Sequence, residues 1–277
     1  MSSNLYQDLD AARSEIRLFK LSPSADDNTP IKTELVKASL SNESGPEYYA
    51  LSYVWGDPNV TVPITVNGQA RLVTSNLGMA LRYLREKEMS IVLWVDAICI
   101  DQNNLTERSL QVQIMGRIFS SAKKVIAWLG ESSNDSNVAL SAIEQWAQWG
   151  VSSKYEMFDY NDHGDAIGIA RLAELVPTAF DEVAIQALEN FGNRSLWTRS
   201  WIAQEIGLAR DVLFVCGHQT ILRDTIFIAS SAWQYVCGAS LGSSLPVGNL
   251  YKTQDTSMDT MFRLLRDRKA GQEHRLC

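Results

Sequence analysis

The stretch IVLWVDAICIDQ, Ile91 to Gln102, decides how this chain is to be read. It is rich in Val, Ile and Trp, and it predicts a strand covered on both faces, as in a parallel sheet. Asp96 falls inside that strand, where a carboxylate is costly unless it is paired or hydrogen-bonded. Asp101 falls at its end, and in open α/β sheets ligands bind at the carboxyl edge. Arg108, just beyond, is the cation expected to pair with either aspartate and to support the strand end. Asn104 and Glu107 are spaced like a capping box that opens the next helix.

Working outward, Tyr48 to Val54 reads as a strand closed by the turn Trp55-Gly56-Asp57-Pro58. Pro63 to Val66 and Ala70 to Val73 flank Asn67-Gly68, a hairpin signal. Thr74-Ser75-Asn76 offers capping side chains to a helix carrying Leu77, Ala80, Leu81 and Leu84. Leu110, Ile114, Met115, Ile118, Phe119 and Ala122 form the stripe of a second helix. Lys124 to Leu129 is a further strand. Strand, helix, strand, helix, strand is the order of a doubly wound parallel sheet, an α/β fold. Short strands at Ile16–Leu21 and Ile31–Val36 precede it within an N-terminal extension, residues 1–47. Val138–Trp149 and Ile167–Leu188 predict a helical insertion spanning about 131–193, with Leu140, Ile143, Trp146, Leu172, Leu175, Phe180 and Leu188 at helical spacing. A helix near Thr198–Ala209, a strand at Val212–Cys216 and a helix at Leu222–Val236 complete a domain over 48–236. A Gly/Ser-rich linker (Gly238–Gly248) and a charged tail make up 237–277.

The chain has 277 residues, 45% of them hydrophobic and 21% charged, as expected of a globular protein with a full core. A net charge of −7 without a dense Lys/Arg run argues against nucleic-acid binding. No apolar run is long enough for a membrane span, and no secretory signal opens the chain. The four cysteines show no zinc spacing; Cys99 and Cys216 read as reduced core residues, so the expectation is a cytoplasmic protein with no metal and no cofactor. The three histidines sit beside no candidate nucleophile.

Four blocks resemble the fungal HET (heterokaryon incompatibility) domain. They are YYALSYVWGD (Tyr48–Asp57), VTSNLGMALRYLR (Val73–Arg85), LWVDAICIDQNNLTERSLQVQIMGRIFSSAKKVIAWLG (Leu93–Gly130) and RSLWTRSWIAQEIGLA (Arg194–Ala209). The resemblance implies an effector of regulated cell death and non-self recognition. Such a protein would act with an upstream sensor or incompatibility partner, or as a homo-oligomer. The chain departs from the family where Arg266-Asp267-Arg268-Lys269 begins a block resembling DPRDKVYALLGL and does not continue it, which fits a short natural form or an isolated domain.

HET domains are in turn similar to TIR domains, which have a flavodoxin-like fold. Some TIR domains hydrolyse NAD with a glutamate that ends a Trp-containing helical motif. Here the motif reads Ser200-Trp201-Ile202-Ala203-Gln204-Glu205. The resemblance implies a TIR-like sheet, NAD as substrate and Glu205 as the catalytic residue. Trp55, Gly56, Asp57, Asp101 and Trp201 are the candidate substrate-binding residues.

Read without the family, Glu205 lies in or beside an apolar stripe, an unusual place for a carboxylate. One explanation is a structural ion pair with Arg194, Arg199 or Arg210, or a hydrogen bond from the Trp55 or Trp201 indole. The other is an active-site carboxylate in a desolvated cleft, its pKa raised. A non-enzymatic homotypic interaction module is the alternative to NAD hydrolysis.

Overall fold

The computed structural model describes residues 5–41, 45–152 and 182–240. The chain divides into two compact units, 1–131 with 198–218, and 132–197 with 219–277.

The first unit is built on one sheet. Its strands are β1 (Glu15–Leu21), β2 (Lys32–Ser39), β3 (Tyr49–Ser52), β4 (Thr61–Val66), β5 (Gln69–Thr74), β6 (Ile91–Trp94), β7 (Lys124–Trp128) and β8 (Val212–Cys216). Their spatial order is β5-β4-β2-β1-β6-β3-β7-β8. β3 lies between β6 and β7 and runs parallel to both, the parallel pairing being that expected from the strand-helix-strand order. β8 continues the parallel run beside β7. In chain order these four strands stand 2-1-3-4, the order of doubly wound flavodoxin-like sheets, and the switch point falls at β3. The N-terminal strands extend this sheet: β1 pairs antiparallel with both β2 and β6.

Helices cover both faces. Helix α1 (Ser75–Leu84) follows β5, and α3 (Leu105–Ser121) precedes β7. Side-chain alternation puts Ser52, Ala50 and Trp94 on one face, where Trp94 packs edge-to-face on Phe119 of α3 at 5.5 Å between ring centroids. Trp128 points to the other face. There its indole N–H donates to Asn76 Oδ1 of α1 at 3.0 Å, and Tyr83 packs on its ring. The Asn67-Gly68 hairpin forms as expected, with positive φ at both residues (49° and 77°), the backbone of a primed turn.

One expectation fails in an informative way. Ile91 to Gln102 is not one strand. β6 ends at Trp94, and Asp96–Cys99 forms a single helical turn, α2. The Ile98 and Cys99 N–H groups both bond Val95 O, and Asp96 Oδ1 accepts the Ala97 N–H at 2.7 Å. A carboxylate that satisfies backbone donors at its own position starts a helical turn more readily than it sits inside a strand. The helix expected over Thr198–Ala209 is likewise shorter: a 3-10 turn at Ser195–Thr198 precedes α6 (Ile202–Gly207).

The second unit is helical in its described residues apart from the short strand β9 (Gln219–Leu222), which reasoning from sequence did not foresee. Helix α4 (Ser136–Ser152) packs on α5 (Glu182–Gly192) and on α7 (Arg223–Ser240). Leu140, Ile143 and Trp146 of α4 and Ile185, Leu188 and Phe191 of α5 are buried, in keeping with the helical spacing. Leu172, Leu175, Phe180 and most of the linker and tail lie outside the described residues.

Candidate active site

Ser52 is the last residue of β3, and Asp96 follows β6 by one residue, so two parallel neighbours deliver a hydroxyl and a carboxylate to the same edge of the sheet. Helix α6 packs on α3, β3 and β7. Its apolar residues Ile202 and Ile206 are buried, and Glu205, on the intervening turn, is carried inward with them to 2% exposure.

Glu205 is fully engaged. Arg199 grips it through two parallel bonds, Nη1 to Oε2 at 2.9 Å and Nη2 to Oε1 at 3.1 Å, and the Ser52 hydroxyl donates to Oε2. Of the cations considered from sequence, Arg199 is therefore the partner. Burial pushes the Glu205 carboxyl above the usual range; Arg199 and Ser52 oppose this, and the Asp96 charge adds to it.

Asp96 is half-buried. Its Oδ2 accepts the Trp55 indole N–H at 2.9 Å, and its Oδ1 accepts the Ala97 N–H at 2.7 Å. Burial also raises Asp96, against the lowering influence of Trp55, the Ala97 N–H, Arg199 and the Tyr53 phenol. Tyr53 is buried and its phenol is pushed up by burial and by Asp96. Two desolvated carboxyls thus share the field of one guanidinium. Arg199 keeps 19% of its side chain exposed, and Trp55 and Trp201 are 43% and 46% exposed.

The remaining sequence candidates fall as follows. Gly56 and Asp57 form the turn after Trp55. Gly56 adopts φ +81°, and Asp57 is exposed, its Oδ1 accepting the Asn59 N–H at 2.8 Å. Trp201 stands one turn before Glu205 and accepts its backbone N–H at 3.1 Å. Asp101 is tied into a different arrangement. Its carboxylate accepts the Asn103 N–H, and its own N–H donates to Glu107 Oε1 at 2.8 Å.

Arg108 is not the support expected for Asp96 or Asp101; it lies exposed on α3. The buried guanidinium in this region is Arg17 of β1, at 2% exposure. It binds Glu107 Oε2 at 2.9 Å and donates to Cys99 O at 3.1 Å and to Gln7 O. Glu107 therefore reaches past the capping box to Arg17 and Asp101, while Asn104 makes its half of the box by accepting the Glu107 N–H at 3.1 Å. Arg17 was legible as a charge inside the apolar run IRLFKL. Ser52 carried no signal beyond its place at a strand end.

The family model described as heterokaryon incompatibility protein (HET) matches residues 48–205. The chain is 30% identical over 233 residues to "Heterokaryon incompatibility protein 6, OR allele" of Neurospora crassa, an alignment covering 74% of this chain and 34% of that relative. The chain thus spans about a third of the relative's length. No solved structure matches.

Proposed function

The chain belongs to the heterokaryon incompatibility (HET) family, and from that premise we propose that it acts as an effector in fungal incompatibility by hydrolysing NAD to nicotinamide and ADP-ribose. The observation that carries the reading is the buried carboxylate of Glu205, bonded to Ser52 at the carboxyl edge of β3 and held by a partly exposed arginine. Ligands gather at that edge in sheets of this order.

In the reaction, the C1′–N bond breaks with its electron pair staying on nicotinamide nitrogen, which neutralises the pyridinium. Positive charge develops on the ribose, and a desolvated carboxylate stabilises it as in glycoside hydrolysis. Water then adds its oxygen to C1′ and gives up a proton. Trp55, fixed by its bond to Asp96, offers an aromatic face for a ring of the substrate. No metal or histidine is needed for these steps.

A second reading has its own observation. Both Glu205 oxygens are occupied by Arg199 and Ser52, which suits a structural ion pair in a module that signals by homotypic assembly. Expression of wild type and Glu205→Gln in a fungal host separates the two. The enzymatic reading expects the variant to assemble as the wild type does while losing NAD depletion and cell killing together. Killing that persists in the variant with NAD intact supports the module instead.

A further inference from the structure

The Arg199–Glu205 pair poses a problem for the chemistry just proposed. Glu205 can stabilise positive charge on a substrate only if its own charge is free, yet a bidentate guanidinium neutralises it. The two partners are not equally accessible: Glu205 is 2% exposed and Arg199 is 19% exposed. A ligand arriving from solvent therefore meets the guanidinium before the carboxylate. The Arg199 charge also acts on Asp96, so it is a cation felt by both acids of the cluster.

We infer that Arg199 is the specificity residue of this site, exchanging Glu205 for the diphosphate of a dinucleotide substrate and thereby releasing the carboxylate for the ribose. The inference rests on the NAD-cleavage reading and adds to it the group by which the substrate is selected. A guanidinium forks onto phosphate oxygens as well as onto a carboxylate. Once the exchange is made, Glu205 keeps only the Ser52 hydroxyl as a partner in a desolvated place. A buried charge left so is unfavourable, and the cation forming on the ribose offsets that cost. The diphosphate would thus both select the substrate and activate the carboxylate, and a nicotinamide riboside lacking phosphate would leave the pair closed.

The test uses ADP, which carries the diphosphate and has no bond to cleave, titrated into the full chain. Wild type, Glu205→Gln and the double variant Arg199→Gln/Glu205→Gln are compared; the double variant removes both charges, so no unpaired ion is buried. Glu205→Gln loosens the grip on the guanidinium and is expected to bind ADP more tightly than wild type. The double variant is expected to bind at least about tenfold more weakly than Glu205→Gln, the worth of a charge-assisted pair. Equal ADP affinity in wild type and Glu205→Gln, or in the two variants, overturns the exchange. If ADP behaves as expected while clustered wild type leaves NAD intact, the cleavage reading fails and the diphosphate site stands. If NAD is cleaved but ADP binding ignores Arg199, the cleavage reading stands and the exchange is wrong.

Discussion

At the residue scale, the carboxyls of this domain divide into two classes with opposite pH behaviour. Asp96 is raised by burial, so its stabilising contribution is full below the unfolded value of about 4 and is lost as pH rises through the folded value. Asp96→Asn keeps an acceptor for the Trp55 indole and removes the titration. Melting temperatures taken from pH 3.5 upward should show the wild type losing ground to this variant as pH rises. Parallel curves would mean that Asp96 is not desolvated. Glu107 behaves in the reverse sense. Burial works to raise it, but bonding from Arg17 and the Asp101 N–H, with the Arg17 charge, holds it below the usual range. Its contribution is present above the unfolded value and disappears as pH falls through the folded one. Glu107→Gln leaves the buried Arg17 without its counter-charge and should cost about 3 kcal/mol in denaturant unfolding near neutral pH. A loss below about 1 kcal/mol, the range of exposed pairs, would place Arg17 in a better solvated setting than the structure gives it.

At the element scale, close packing depends on one glycine in particular. A Cβ on Gly78 of α1 would come within 2.3 Å of Val62 Cγ2 on β4. Gly78→Ala should therefore destabilise by about 1–3 kcal/mol by overpacking, despite alanine's better helix propensity. Val62→Ala should recover part of that loss in the double variant. Strict additivity of the two losses would show that the residues do not meet.

The elements themselves were largely legible in the sequence. β3, the hairpin, α1, α3, β7 and β8 follow from spacing and turn residues, because each spans enough residues for its period to show. Periodicity misleads where local side-chain chemistry competes with it. Asp96 looked like a residue in a strand because its neighbours are apolar, yet its carboxylate takes the next N–H and turns the chain. β9 was missed because its four residues, Gln219–Leu222, are too few for a period. Within the candidate site, Glu205 was legible as a carboxylate on an apolar stripe, and Arg199 stood among its named cations. Ser52 and Arg17 depend on strand pairing across long sequence separations, which spacing along the chain does not encode.

At the scale of the whole molecule, the order of the strands explains why the acids meet at all. β3 comes first in the parallel run and lies between the second and third strands. The loops leaving β3 and β6 therefore diverge at its carboxyl end, and Ser52, Tyr53, Trp55 and Asp96 lie at or just after the ends of these two strands. The same order ranks the strands by protection. Native-state hydrogen exchange should find the amides of β3 and β7, each paired on both sides, among the slowest of the first unit. Those of β5, at the end of the order, should be among the fastest. Rapid exchange in β3 would contradict the central position on which the site depends.

The proposed role of Glu205 is to supply the charge that stabilises the ribose cation as NAD is cleaved. Its most direct test is the release of nicotinamide from NAD by the purified chain held in clusters, wild type beside a folded Glu205→Gln variant. Steady release is expected from the wild type and a loss of at least about a hundredfold in the variant, the effect of removing an electrostatic group that acts in the transition state. Equal release by both, or none by the clustered wild type, would contradict it.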